Sequence, residues 1–513
     1  MTPKKTYITT PLYYVNASPH IGHAYTTLAA DIYARWKRQK GETVHLLTGT
    51  DEHGSKIEQA AVAAGVSPQA YADKVSAEFR DLWAHLGVHF DDFIRTTEPR
   101  HKDRVQDAFR SLVASGDAYK GVYKGYYCVS CETYWTDTEA PEDEKAVRRC
   151  PNADCRKPLK LTEEESWFFK LSAYGPRLLD FYKAHPGFLQ PSQRAKEIEN
   201  FVAEGLRDLA ISRSKVAWGV PVPDDAGHVV YVWFDALLNY ATAAGWRPGD
   251  DAYKALWPAD VHLVGKEIYR FHTVIWPAML MALGVEPPKS VYAHGWWTVE
   301  GQKMSKSKDN FVDPREFTRK YGVDAFRYVL FREMPFGNDG DFSAEAFKKR
   351  YNADLANDLG NLVSRVTNMV DAYLDGALPG KPDPERSPVL KRALAASADI
   401  GESMDRLAFQ DALNRIWAVV GELNLTVNDR KPWVMAKDPD KEPLKHLLFD
   451  LVGTLRVVAG WVTPFMPNKA AEMQMALGVR KFPGPLSVHE VLDGPAGHRI
   501  RKGAPLFPRM EEK

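Results

Sequence analysis

The stretch TPLYYVNASPHIGHAYTTL, Thr10–Leu28, sets two imidazoles, His20 and His23, around Gly22 at the point where a strand pattern gives way to a helical one. Before it, Tyr7 to Thr10 reads as a short strand. After it comes AYTTLAADIYARWKRQKG, in which Leu28, Ile32 and Trp36 recur at helical spacing and Gly41 supplies a stop. TVHLLTGTDEHG then gives a second strand, Val44 to Thr48, ending in glycine and acids. Strand, helix and strand within about forty residues form a βαβ unit, which requires a parallel sheet. A helix that starts directly after the first strand offers free backbone N–H groups and the positive end of its dipole, where phosphates bind. His20 and His23 lie one turn apart and can both donate to phosphate oxygens. Gly22 lets a nucleotide base approach the backbone. Taken alone, the motif leaves a second reading open, two surface histidines beside a turn.

Working outward, two more helical stretches run to about Leu86, and the character then changes between about Tyr119 and Ala217. The α/β pattern resumes in VVYVWFDALL, DVHLVGKEIYRFHTVIWPAMLMALG and SVYAHGWWTV. The expected fold class is therefore α/β: a doubly wound parallel sheet, split by an insertion, followed by an all-α bundle. The expected units are 1–117 and 218–300 for the two halves of the Rossmann-like domain and 118–217 for the insertion. A loop-rich segment at 301–351 and a helical domain with its tail at 352–513 complete the chain. In the helical part Leu355, Leu359, Leu362, Val366, Val370 and Tyr373 form one stripe, and further helices are expected near 388–408, 410–429 and 442–464.

Composition excludes some classes. The 513 residues suit several domains and are 44% apolar. Lys+Arg and Asp+Glu both number 67, so no overall basic excess points to nucleic acid, although a neutral total leaves room for a basic face. MTPKKTYITT has no apolar signal core, and no run of about 18 apolar residues could span a membrane. A cytoplasmic protein is expected. All four cysteines fall in the insertion, as Cys128-x2-Cys131-x18-Cys150-x4-Cys155. Four thiolates so spaced suit one tetrahedral zinc, with two disulfides or buried thiols as the alternatives. The x4 spacing makes Cys155 the least regular ligand.

A second motif decides between readings of the first. GQKMSKSKDN, Gly301–Asn310, carries Lys303, Lys306 and Lys308 on a loop after the last α/β strand. Lysines there suit a pyrophosphate that gains charge as it leaves. His-Ile-Gly-His at 20–23 and Lys-Met-Ser-Lys-Ser at 303–307 together resemble the two nucleotide-binding motifs of class I aminoacyl-tRNA synthetases. The insertion is smaller than the editing domain of the leucine, isoleucine and valine enzymes, and it carries a cysteine knuckle. With YVWFDALLNY (231–240), GKEIYRFHTVIWPAML (265–280) and HGWWTVEGQKMSKS (294–307), it resembles the bacterial methionyl-tRNA synthetase family over about residues 5–470.

The resemblance implies a ligase that joins methionine to ATP as an adenylate, releases pyrophosphate, and passes the methionyl group to the terminal ribose of initiator and elongator tRNA(Met). His20, His23, Lys303 and Lys306 would be catalytic. ATP, with Mg2+, would meet Gly22, Gly265, Glu267, Lys303, Met304, Ser305, Lys306 and Ser307. Methionine would lie among Leu12, Tyr14, Asp51, Trp233, Tyr240, Phe271 and His272. Asp51 would hold its ammonium, Tyr14 and His272 would meet its sulfur, and Trp233 and Phe271 would enclose its side chain. Asn361, Arg365 and Trp433 would read the anticodon. Cys128, Cys131, Cys150 and Cys155 would hold one structural Zn2+. The tRNA-binding barrel that makes many relatives dimers has no room after the helical part, so a monomer is expected. A small nucleotidylyltransferase shares the first motif but not the long helical domain, and a non-catalytic RNA-binding paralogue would be expected to lose His23, Lys303 or Lys306.

Overall fold

The computed structural model describes residues 5–130, 133–135, 139–143, 146–152, 155–299, 301–303, 312–377, 387–479 and 499–511. At its centre is a parallel sheet of seven strands. The first strand, Lys5–Thr9, lies between Thr43–Asp51 and Val261–Gly265, with Ile8 opposite both Leu46 and Val261. Val291–His294 follows on one side, while Asp92–Arg95 and Tyr13–Tyr14 both pair with Thr43–Asp51 on the other. The chain thus leaves the first strand in one direction and later returns in the other. The crevice at the C-terminal ends of Lys5–Thr9 and Val261–Gly265 is the switch point at which doubly wound sheets bind ligands.

The βαβ reading holds in detail. The helix spans Ile21–Gln39, buries Leu28 and Ile32 fully, and is followed by Gly41 at φ 81°. The second strand runs Thr43–Asp51, three residues past the expected end. Those residues continue because they pair with a neighbour distant in sequence, Gly49 with Ile94 and Thr50 with Arg95. Gly49 is required there, since a Cβ would stand 1.9 Å from the Ile94 carbonyl oxygen.

The insertion is built on a long antiparallel hairpin, Ala118–Cys128 with Lys160–Phe169, flanked by Thr133–Trp135 and Leu209–Ala210. It is not wholly separate. Leu189–Gln190, inside the expected insertion, joins the edge of the parallel sheet beside Val291–His294. Two residues carry no periodicity, so no sequence pattern marks such a strand.

Helices Pro388–Asp405, Phe409–Arg430 and Glu442–Val462 lie where expected, and short helices Pro432–Met435 and Pro467–Ala476 add to them. Leu355, Leu359, Leu362, Val366 and Val370 are buried, but Tyr373, in the last turn before Leu374, is exposed. One helical run, Ala344–Arg350, a π-helical Tyr351–Gly360 and Asn361–Leu374, passes straight through the expected division at 351/352.

The motif helix is gripped along its length. Arg327, fully buried, donates to Asp31 at 2.5 Å, to the Phe465 carbonyl at 3.0 Å and to the Leu86 carbonyl at 3.3 Å. Burial alone would raise the Asp31 carboxyl, but Arg327 and Arg35 together hold it below its ordinary value. Near the helix C-terminus Asp405 accepts from Trp36 at 3.1 Å, Lys37 at 2.7 Å and Lys40 at 2.7 Å. Among the described residues no helix is long and apolar enough to cross a membrane.

Candidate active site

A cavity of about 350 Å³ opens at the switch point. Leu12, Tyr14, His20, Gly22, His23, Asp51, Trp233, Tyr240, Gly265, Glu267 and His272 all line it. Phe271 departs from expectation: it is not in the wall but stacks on Trp233 from behind, ring centroids 3.8 Å apart and planes 15° apart. The two rings form a double layer of which only Trp233 faces inward.

At the first motif the two histidines cap their own helix. The Gly22 N–H donates to His20 Nδ1 at 3.0 Å, and the His20 N–H donates to His23 Nδ1 at 3.1 Å. This is a capping box built from imidazoles, with the logic of the Ser…Glu form. Because each Nδ1 accepts, each neutral ring carries its hydrogen on Nε2. Burial, and then the neighbouring His20, push the His23 imidazole well below its ordinary value, so His23 donates without adding charge. Gly22 serves this cap: a Cβ there would lie 2.8 Å from His20 Cε1, inside the imidazole. The expected access for a nucleotide base is therefore not its only reason.

At the other end of the cavity a buried polar pair is closed on itself. Tyr240 Oη and His272 Nε2 are 2.7 Å apart, and His272 Nδ1 is 3.0 Å from the Ile268 carbonyl. A carbonyl only accepts, so His272 carries its hydrogen on Nδ1 and takes the Tyr240 hydroxyl on Nε2. Burial pushes the imidazole down to about 4, so it is neutral at physiological pH. With its hydrogen bonds internal, this end presents ring faces, which suit a polarizable thioether. Asp51, at the end of its strand, supplies the carboxylate in the wall.

Between the ends, Glu267 folds over Gly265, where a Cβ would be 2.5 Å from its carboxylate, and accepts from Trp296 Nε1 at 2.6 Å. Thr26 donates to His294 Nε2 at 2.7 Å. Tyr13, Thr26, His294 and Trp296 line the cavity without having been assigned from the sequence. Trp296 and His294 sit in HGWWTV, directly before the second motif, and Tyr13 beside Tyr14; proximity to a motif was the available signal.

Lys303 ends a short strand whose backbone pairs with Thr298. Met304, Ser305, Lys306 and Ser307 lie outside the described residues, as does Cys131. The sulfurs of Cys128, Cys150 and Cys155 all lie within 4.8 Å of one another, and Cys128 and Cys155 are 3.5 Å apart. Ligands about 2.3 Å from a tetrahedral zinc stand about 3.8 Å from each other, so the three fit a metal. In the helical domain Asn361 is exposed, Arg365 donates to Asn428 at 2.9 Å, and Trp433, five residues past Asn428, is 42% exposed.

A doubly wound sheet with a histidine-capped helix at its switch point is the architecture expected of a class I aminoacyl-tRNA synthetase, and the family model described as tRNA synthetases class I (M) matches residues 6–367. Methionine--tRNA ligases of Caldanaerobacter subterraneus and Streptomyces coelicolor are 48% and 47% identical to the chain. Each alignment covers 99% of the chain, and 79% and 97% of those proteins respectively. The methionyl-tRNA synthetase of Mycobacterium tuberculosis, solved in complex with methionyl-adenylate, superposes with a TM-score of 0.90 at 39% identity, covering 99% of this chain and 100% of that one. The chain belongs to the methionine--tRNA ligase family, and it is an aminoacyl-tRNA ligase.

Proposed function

We propose that the two ends of the cavity divide the ligase reaction between them. Methionine occupies the closed end, with its ammonium on Asp51, its thioether beside Tyr14 and His272, and its side chain against Trp233, Leu12 and Tyr240, Phe271 acting through Trp233. ATP lies across Gly22, Gly265 and Glu267. The methionine carboxylate attacks the α-phosphate in line and pyrophosphate departs; no general base is needed, since the nucleophile is already ionised. Catalysis is then positioning and charge stabilisation. His20 and His23 donate Nε2–H to phosphate oxygens, and Lys303 and Lys306, with Met304, Ser305 and Ser307 completing the loop, neutralise the leaving pyrophosphate. Mg2+ accompanies ATP. In the second step the tRNA ribose hydroxyl attacks the methionyl carbonyl carbon, the anhydride bond to phosphate breaks, AMP leaves and the hydroxyl proton is lost.

The observation that carries this reading is the reciprocal His20–His23 cap, which fixes both Nε2–H donors at the cavity wall. The test is amino-acid-dependent ATP–pyrophosphate exchange with all twenty amino acids and no tRNA. Exchange with methionine alone is expected; exchange with another amino acid would discard the pocket.

Cys128, Cys150 and Cys155, with Cys131, would hold Zn2+ as a structural ion; metal analysis of the purified protein checks its identity and one-per-chain amount. Asn361, Arg365 and Trp433 read the anticodon of initiator and elongator tRNA(Met), a reading supported by Arg365 being tied to the helix that leads to Trp433. The enzyme works as a cytoplasmic monomer, which light scattering of the purified protein checks.

A further inference from the structure

Outside the cavity lies a buried group that the reaction does not use. Asp235 Oδ2 is 2.6 Å from His53 Nδ1, and its Oδ1 is 2.7 Å from His101 Nε2. Asp235 and His101 are fully buried and His53 nearly so. We propose that His53, Asp235 and His101 are positioning residues that set the shape of the methionine end; the inference rests on reading that end as the methionine pocket.

The argument starts from the helix that carries Asp235. Val232–Leu237 has six residues, too few to hold its own direction by internal hydrogen bonds. Val232, Trp233, Ala236 and Leu237 line the cavity from it, and Asn239 and Tyr240 do so one turn on, whereas Asp235 does not. At 3.6 residues per turn Asp235 points to the far side of that helix. The cavity wall therefore has an inner face that meets substrate and an outer face held by one carboxylate. His101 ties that carboxylate to the third residue of the Pro99–Ser115 helix, and His53 ties it to the turn two residues after Asp51.

That turn is itself fixed on each side of His53. Glu52 receives Arg95 through two bonds of 2.7 and 2.9 Å, and Thr97 at 2.5 Å. Trp218 donates to the Glu52 carbonyl at 2.6 Å and its own carbonyl accepts from the Gly54 N–H. Among the side chains of Asp51, Glu52 and His53, Asp51 turns to the cavity while its two successors fasten the backbone. The His53–Asp235 bond then sets the span between the carboxylate for the ammonium and the rings for the side chain.

Stability alone is a poor reason for this trio. An apolar set of similar volume is often as stable as a buried ionic one, whereas directional bonds fix geometry. The bonds are well satisfied at the carboxylate: burial would raise Asp235, but His53 and His101 hold it down at about 2. His101 Nδ1 has no hydrogen-bond partner among the described residues, so the bond to Asp235 is the one that orients the ring.

The test uses the full chain in methionine-dependent ATP–pyrophosphate exchange, with thermal unfolding alongside. Asp235→Asn and His101→Leu are expected to raise KM for methionine by about tenfold or more, the scale of one lost hydrogen bond to a charged group, with KM for ATP within about twofold. His101→Gln, which keeps a donor, is expected to restore most of the methionine KM. A methionine KM within about twofold of the parent in His101→Leu, or parallel rises in both KM values, overturns the proposal. If Asp235→Asn fails to fold, the Leu and Gln variants at 101 still decide. Asp51→Asn and Tyr240→Phe separate the two levels. If both leave methionine KM unchanged, the pocket reading is wrong; if they raise it and His101→Leu does not, the pocket stands and the positioning role falls.

Discussion

The two ends of the cavity solve recognition in opposite ways. At the closed end, polar atoms turn to each other: the Tyr240 hydroxyl to His272, and His272 to the Ile268 carbonyl. What remains for a ligand beside the Asp51 carboxylate is aromatic surface. At the open end the polar atoms are also paired, His20 and His23 through Nδ1, but the pairing aims the opposite nitrogen outward as a donor. Hydrogen bonding thus erases polarity at one end and directs it at the other. Neither His23 nor His272 carries charge, because burial depresses both. Charge for the phosphates must come from the lysine loop, and charge for the ammonium from Asp51.

The largest effect should follow from breaking the open end. His23→Ala removes one donor and the reciprocal cap, and should slow adenylate formation by about 10²–10³, the loss seen when one preorganised oxyanion donor is deleted, with methionine affinity little changed. Single-turnover pyrophosphate release checks it, and near-normal turnover would sink the division of labour. A change remote from both ends should touch neither. Trp433→Ala should raise KM for tRNA by roughly tenfold or more, the scale of one base–aromatic stack, and leave exchange intact. Loss of exchange as well would assign Trp433 to folding. At the closed end, Tyr240→Phe leaves the buried His272 Nε2 without its donor. Methionine binding should weaken by about five- to tenfold while ATP binding holds, which calorimetry can measure.

How much of this was legible follows from which signals are local. The βαβ unit and the Leu355–Val370 stripe were readable because periodicity is a property of neighbouring residues. The motif histidines were readable as a pair, but their hydrogen placement was not, since it depends on cap geometry. Phe271 was read as pocket wall from the family resemblance; only packing shows that it stacks on Trp233, the ring in the wall. Leu189–Gln190 was missed because a two-residue edge strand has no pattern of its own. Asp235, His53 and His101 were missed for a similar reason: they lie 182 and 134 positions apart along the chain and meet only in the fold.

The smallest expected effect is a flat line, and it sharpens the comparison most. His272 is depressed to about 4 in the folded chain against an ordinary 6.5. Methionine KM should therefore not change between pH 8 and about 5, because the imidazole that shapes the closed end stays neutral throughout. Stability should change over part of that range. The unfolded chain takes up the proton near 6.5 and the folded chain only near 4, so the contribution of His272 is full above 6.5 and is lost as pH falls from 6.5 toward 4, by up to about 3 kcal/mol. His23 and His262 are depressed by burial too and add to the same slope. Thermal unfolding between pH 7.5 and 4.5 should show the decline, and His272→Gln should make it shallower without removing it. A methionine KM that climbs tenfold between pH 7 and 5.5 would mean that His272 titrates in the working range, and the closed end would then carry an imidazolium that the open end's His23 does not.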